Sequence, residues 1–302
     1  MNKLLFSTSD YKSLAKKLLD ITPFEEGVVE SSFFSDGEHY QRIVSEVENR
    51  EVILLGGTVH ESATLELFDL ASALVSYGVE SLSLVVPYFG YSTMERAVKP
   101  REIVTAKTRA RLFSAIPQSH KGNKIYLFDL HTEGIPHYFE QNLHPKHIYC
   151  KPIIIDACRK YGGDDFILAS TDAGRAKWVE SLANDMNVGA AFILKRRIAD
   201  GHTEISAVNA DVAEKTVIIY DDMIRSGSSI INAAKTYHEG GAKAIYVITS
   251  HGLFVSHGIE KLRNCGLITK VICTDTHCNV EKIQDDFLEV ISIAQLIADS
   301  II

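Results

Sequence analysis

Short apolar runs alternate with stretches of helical period along most of the chain, a pattern that predicts parallel sheets covered by helices on both faces. Glu51 to Leu55 reads as a strand closed by Gly56-Gly57. In the segment after it, Ala63, Leu67, Leu70, Ala71, Leu74 and Val75 fall on one helical stripe, with Gly78 as the stop. The strand signal recurs at Ser81 to Phe89, Lys124 to Leu130, Asp165 to Ser170, Ala190 to Lys195, Thr216 to Asp222, Ala242 to Ser250 and Leu267 to Thr274. Strands in that number suit two doubly wound α/β halves. The polar stretch Gln141-Asn142-Leu143-His144-Pro145-Lys146 separates the two sets, so the domains are expected at 1–145 and 146–302. Asp36-Gly37, between Val28 to Phe34 and Tyr40 to Val44, predicts a hairpin in the first half.

Composition narrows the function classes. With 46% hydrophobic and 23% charged residues, the 302-residue chain has an ordinary globular balance. Its 39 acids outnumber 31 bases, a net charge of −8, so there is no basic field to hold a nucleic acid non-specifically. Local phosphate binding by backbone N–H groups, helix N-termini and Mg²⁺ stays open. Leu4-Leu5-Phe6 is too short for a signal-peptide core, and no stretch reaches the ~18 apolar residues of a membrane span. Five cysteines without regular spacing read as reduced thiols. A cytoplasmic protein with no nucleic-acid or membrane partner is the expectation. Cys273, His277 and Cys278 lack zinc-ribbon spacing, and His131, His137, His144 and His147 lack helical i, i+4 pairing, so neither group is read as a metal site.

Candidate chemistry concentrates at Thr216 to Ser229. A β-branched strand ends in Asp221 and Asp222, and a small-residue loop then opens a helix at Ile230. Ser226, Gly227, Ser228 and Ser229 can turn N–H groups and hydroxyls toward one phosphate, while the two acids can hold sugar hydroxyls or Mg²⁺. An ordinary capped helix after a strand is the plainer alternative, but two acids followed by four small residues favour a ribose-phosphate site. Ser170-Thr171-Asp172-Ala173-Gly174-Arg175 is a second anion-binding candidate at a strand end. Lys195, Arg196 and Arg197 form a third feature before the polar stretch Ile198 to Glu204. Three adjacent bases are commonly a solvated strand end, yet transfer of a polyphosphate needs cations where charge develops. In the first half, Asp36 and Glu38 are turn residues on the plain reading, and a lone His131 is more often structural than a ligand.

Taken together, these motifs resemble the ribose-phosphate diphosphokinase (phosphoribosyl diphosphate, PRPP, synthase) family along nearly the whole chain and in the family's order. Phe34-Ser35-Asp36-Gly37-Glu38 resembles its flag hairpin, and Pro87-Tyr88-Phe89-Gly90-Tyr91 with Glu95-Arg96 its nucleotide-side segment. Asp129-Leu130-His131 resembles the metal and ATP motif, Asp172-Ala173-Gly174 the diphosphate loop, Lys195-x-Arg197 the catalytic flexible loop, and Asp221 to Ser229 the ribose 5-phosphate loop. The resemblance implies two similar phosphoribosyltransferase-like α/β domains. It implies that Phe34, Asp36, Glu38, Arg96 and His131 bind ATP, Phe34 by stacking on adenine across a subunit boundary. His131 and Asp172 would help hold Mg²⁺. Asp221 and Asp222 would take the ribose hydroxyls and Arg225 to Ser229 the 5-phosphate, while Lys195 and Arg197 would stabilise the diphosphoryl group in transfer. A homo-oligomer built from dimers, up to a hexamer, is implied as well.

Two places depart from the family pattern. Thr93-Met94 stands where most relatives carry Arg-Gln, which removes a guanidinium from the adenine site. In the ribose-phosphate loop Arg225 replaces an acid and Ser228 a glycine. Ser92-Thr93-Met94-Glu95-Arg96 and Arg225-Ser226-Gly227 are closer to the mainly plant class II branch, whose control by inorganic phosphate and ADP is relaxed. A phosphoribosyltransferase shares the loop at Asp221 to Ser229 but accounts for neither the flag hairpin nor the doubled domain. A catalytically silent family member is the other alternative, against which Lys195 and Arg197 speak.

Overall fold

The structure, a computed structural model, describes residues 3–141, 143–171, 173–197 and 203–302, with side chains left aside at 173, 194–197 and 203–207. The chain divides into two compact units, Met1–Tyr149 with Ala294–Ile302, and Cys150–Ile293.

The first unit runs β1 (Leu4–Ser7), α1 (Lys12–Ile21), β2 (Glu25–Glu26), β3 (Val29–Phe33), β4 (His39–Ile43), β5 (Glu51–Leu55), α2 (Glu61–Ser76), β6 (Ser81–Val86), α3 (Thr105–Ser114), β7 (Asn123–Phe128) and β8 (Leu143–Ile148). Its parallel sheet has the order β2-β1-β5-β6-β7-β8, and β3 and β4 form a separate antiparallel hairpin. The core lies between helices and sheet, where Leu54, Leu67, Leu74, Leu84, Phe113 and Leu127 are fully buried. Central strands such as Val52–Leu55 are buried along their length, the mark of a sheet covered on both faces.

The second unit runs α4 (Lys151–Gly162), β9 (Phe166–Ser170), α5 (Ala176–Met186), β10 (Gly189–Ala191), β11 (Ile193–Arg197), β12 (Thr203–Val208), β13 (Thr216–Ile224), α6 (Ser228–Glu239), β14 (Ala244–Gly252), α7 (Gly258–Asn264), β15 (Lys270–Thr274) and β16 (Leu288–Ile291). Its parallel sheet has the order β10-β9-β13-β14-β15-β16, with β11 and β12 as a second antiparallel hairpin. The final helix α8 (Ala294–Ile301) belongs to the first unit.

Several expectations from the pattern shift. The polar stretch at 141–146 is not a linker: Leu143–Ile148 pairs in parallel with β7 as the edge strand of the first sheet. An edge strand needs no continuous apolar run and tolerates Pro145, so it carries little strand signal. The second unit ends at Ile293 instead of residue 302, because Ala294, Ile297, Ala298 and Ile301 form an apolar stripe of helical period that α8 buries with α1. There Lys3 Nζ donates to the Ile301 carbonyl at 2.7 Å. The expected strand Ala190 to Lys195 breaks at Phe192 into β10, in the sheet, and β11, in the hairpin. Phe89 lies beyond the end of β6, and β14 reaches two residues past Ser250. The short β1 and β16 gave no pattern long enough to read.

Candidate active site

Strand order reverses between β9 and β13, and ligands of open α/β sheets collect outside the carboxyl ends of strands at such a reversal. Thr171, directly after β9, donates from Oγ1 to Asp221 Oδ2 at 3.2 Å. Arg175 Nη2 pairs with Asp222 Oδ2 at 2.5 Å, with side chains 19% and 6% exposed. The Asp222 N–H donates to Asp221 Oδ1 at 3.0 Å. Burial, together with the neighbouring Asp222 charge, pushes the Asp221 carboxyl up to about 7 against the pull of Arg175 and Thr171. Near neutral pH this group can exchange its proton for a cation or accept a sugar hydroxyl.

The acids do not close their strand. β13 continues to Ile224, and Met223 and Ile224 oppose His251 and Gly252 of β14. The helix also starts earlier than the pattern suggested, so Ser228 and Ser229 are the first residues of α6. The opening N–H groups of a helix lack intrahelical acceptors and favour an anion. Gly227 precedes them at φ +81°, where a Cβ would lie 2.9 Å from Leu262 Cγ, so both conformation and space call for glycine. Ser226 Oγ and Ser228 Oγ lie 3.2 Å apart, and Arg225 is exposed beside them. Elsewhere in the unit Trp178 of α5 stacks on Tyr220 of β13 with centroids 4.4 Å apart, and Tyr237 Oη, from the last turn of α6, donates to the Ser170 carbonyl at 2.9 Å.

Sequence reasoning placed Arg175 at the end of the second anion-binding candidate without foreseeing its pairing with Asp222, and it missed a buried polar layer at the ends of β14 and β15. Thr274 Oγ1 and Thr276 Oγ1 donate to the Ser250 carbonyl at 2.6 and 2.9 Å, and His251 Nδ1 lies 2.8 Å from Thr276 Oγ1. The available signal was Thr249-Ser250-His251 and Thr274-Asp275-Thr276-His277, each closing an apolar run. His277 Nδ1 accepts from the Asn279 N–H at 3.2 Å. Ala173 and Gly174 open the single turn Ala173–Arg175 before α5; Asp172 lies outside the described residues. Lys195 and Arg197 stand on β11 opposite Ile205 and Thr203, just past a break in register between Leu194 and Lys195. Their side chains lie outside the described residues.

In the first unit the hairpin tip presents Phe34, 57% exposed, edge-on to Tyr40 at 6.0 Å. Gly37 turns the chain at φ +94°, and Asp36 Oδ1 accepts the Glu38 N–H at 3.1 Å, so Asp36 shapes the turn. β7 ends at Phe128, and the buried Asp129 follows at φ +37°. The Leu130 N–H then donates to His147 Nε2 at 2.9 Å, with His131 next. Arg96, 78% exposed, pairs with Glu95 at 3.5 Å.

Comparison with known proteins decides the family. Residues 3–116 match the N-terminal domain of ribose phosphate pyrophosphokinase, and residues 167–302 match the phosphoribosyl synthetase-associated domain. Ribose-phosphate pyrophosphokinase 1 of Lactococcus lactis is 32% identical over 307 residues, covering 100% of this chain and 92% of that protein. The chain belongs to the ribose-phosphate pyrophosphokinase family. The ribose-phosphate pyrophosphokinase of Fusobacterium nucleatum is 29% identical over 305 residues, covering 99% of this chain and 94% of its own. Phosphoribosylpyrophosphate synthetase from Mycobacterium smegmatis superposes with a TM-score of 0.89 at 25% identity, covering 99% of this chain and 97% of the other. Both sheets, the flag hairpin and the acid-then-serine loop therefore belong to a pyrophosphokinase frame. Among the described residues no helix is long and apolar enough to cross a membrane.

Proposed function

We propose that this chain is a ribose-phosphate pyrophosphokinase that transfers the β,γ-diphosphoryl group of ATP to the anomeric hydroxyl of ribose 5-phosphate, releasing AMP and PRPP. The observation that carries the reading is the second unit's strand reversal, where Asp221 and Asp222 precede a serine-glycine loop opening α6, in a chain similar to pyrophosphokinases over its whole length. Asp221 and Asp222 take the ribose hydroxyls and the loop Arg225 to Ser229 takes the 5-phosphate. Asp172, Ala173 and Gly174 hold the diphosphate. Phe34, Asp36, Glu38, Arg96 and His131 bind ATP. Lys195 and Arg197 meet charge that grows on the transferring group, so that positioning and electrostatics supply most of the rate.

Mg²⁺ fits this donor set. Among the described residues no three His, Cys, Asp or Glu side chains converge into a cage, but a magnesium ion that keeps water and takes substrate phosphates needs only one or two protein ligands. Asp172 in the second unit and His131 in the first would each offer a ligand, and bound Mg²⁺ would neutralise phosphate charge. The 57% exposed Phe34 fits a base-stacking role completed by a second copy of the chain, in a homo-oligomer built from dimers.

The deciding assay incubates the pure protein with ribose 5-phosphate, ATP and Mg²⁺ and follows AMP and PRPP. Formation of both in equal amounts is expected; neither product under varied metal and phosphate would overturn the reading in favour of a silent family member. Thr93 and Met94 supply a hydroxyl and a thioether in place of a guanidinium. Discrimination among nucleoside triphosphates by kcat/KM should therefore stay below ~10³-fold.

A further inference from the structure

Tyr91 ends the run Pro87 to Tyr91 of the nucleotide-side segment and adopts φ +60°, a left-handed conformation that a bulky side chain holds only when its surroundings enforce it. Three contacts do so. Its hydroxyl donates to Glu61, the first residue of α2. Arg109, from the middle of α3, places its guanidinium over the Tyr91 ring, 5.3 Å from the centroid. The same guanidinium pairs with Glu61 through Nη2 at 2.5 Å. Arg109 thus touches both the ring and the carboxylate that holds its hydroxyl. Its side chain is 23% exposed, with Nε shielded from solvent and without a hydrogen-bond partner.

What Tyr91 governs is the turn that follows. The Met94 N–H donates to the Tyr91 carbonyl at 2.8 Å, and the Ala106 N–H donates to the Met94 carbonyl at 3.4 Å. The turn is therefore tied to the helix that carries Arg109. On its other side the Gly90 N–H donates to Thr58 Oγ1 at 2.5 Å. Arg109, Glu61 and Tyr91 thus form a brace at the start of the turn that carries Thr93 and Met94.

We infer that Arg109 is a positioning residue for nucleotide recognition, acting through Tyr91 and Glu61 on the turn Tyr91 to Met94. The inference rests on the proposed function, which puts this turn on the nucleotide side. A planar guanidinium can lie on a ring and pair with a carboxylate at once, whereas an ammonium acts as a point charge and cannot reproduce that geometry.

The test compares the wild type with Arg109→Ala, Arg109→Lys and Tyr91→Phe, reading initial rates with ATP and GTP at saturating ribose 5-phosphate, ATP binding by calorimetry, and Tm. Arg109→Ala should raise the KM and the Kd for ATP about tenfold with a smaller effect on kcat, lower the ATP-to-GTP ratio of kcat/KM, and leave the KM for ribose 5-phosphate within twofold. Arg109→Lys should fail to restore the ratio. Tyr91→Phe should cost less in the Arg109→Ala background than alone, because the two act on one element. An unchanged ATP Kd and ratio in Arg109→Ala, or full rescue by lysine, overturns the inference. So does a uniform fall of both substrates' kcat/KM in step with Tm, which marks a merely structural residue. A wild type that forms no AMP overturns the proposed function instead, and the ATP Kd then still reads the inference.

Discussion

The two sheets share one plan and differ at one place. Each has its first strand beside its second, the third on the other flank, and the rest in sequence, and each carries an antiparallel hairpin between its second and third strands. Counted along the third strand from the residue opposite the first strand's start, Val52 opposite Leu4 and Thr216 opposite Phe166, Gly57 falls where Asp221 does and Thr58 where Asp222 does. In the first unit a Cβ at Gly57 would lie 2.2 Å from Tyr11 Oη, and Tyr11 is 2% exposed: the strand reversal is filled by the chain's own aromatic ring. In the second unit the same place holds two acids and the guanidinium of Arg175. A repeated frame offers a ligand crevice twice, and the side chains at two positions decide whether it becomes core or site. The hairpins diverge likewise, one tipped with exposed Phe33 and Phe34, the other bearing Lys195-Arg196-Arg197.

The hairpins supply the sharpest test. Lys195→Ala should lower kcat by at least ~10²-fold with a smaller change in KM, since the proposed function gives it a contact made in the transition state, while Phe34→Ala should act mainly on the KM for ATP. If kinetics with both substrates varied show the reverse, the division of labour between hairpins is wrong. Next in size is Asp222→Ala, which leaves Arg175 without its 2.5 Å partner. It should raise the KM for ribose 5-phosphate at least tenfold and cost about 3 kcal/mol of stability in denaturant titration; Thr58→Ala, at the matching place, should leave that KM unchanged.

A pH series separates the two reversals further. Burial and Asp222 hold the Asp221 carboxyl up to about 7. Between the ordinary aspartate range and that value the folded chain keeps a proton that the unfolded chain has lost. Stability of the substrate-free protein therefore falls as pH rises through this window, and Asp221→Asn should flatten the fall; a wild-type stability curve already flat from pH 4 to 7 would show the carboxyl to be ordinary. The smallest effect is expected at Gly57→Ala, where the new methyl group meets Tyr11. It should cost about 1–3 kcal/mol in the wild type and less than that in a Tyr11→Ala background, whereas an unshifted Tm would mean that Tyr11 does not fill the crevice.

Apolar runs long enough to show a period, such as Glu51–Leu55 and Phe166–Ser170, were legible as strands without any structure, because a strand buried on both faces must be apolar throughout. The edge strand Leu143–Ile148 was not, since one of its flanks is free of the sheet and His144, Lys146 and His147 with Pro145 interrupt its apolar pattern. Asp221, Asp222 and the serine loop stood out because acids at the end of a buried strand are costly unless something compensates them, and a run of small residues leaves a helix N-terminus open to an anion. Arg175 was legible only as the last residue of an anion-binding stretch, because a single arginine at a helix start has no pattern that names its partner. Its pairing with Asp222, 47 positions on, exists only once β9 and β13 lie side by side.

What the sequence by itself determined is the alternation of strand and helix, the two-fold α/β plan and the order of motifs, all of which are written in near neighbours along the chain. The return of residues 294–302 to the first unit, the filling of Gly57's space by Tyr11, and the contact of Arg109 with both Tyr91 and Glu61 were decided only by tertiary structure. Each joins residues far apart in the chain, and local pattern carries no information about which distant side chain will occupy a given space.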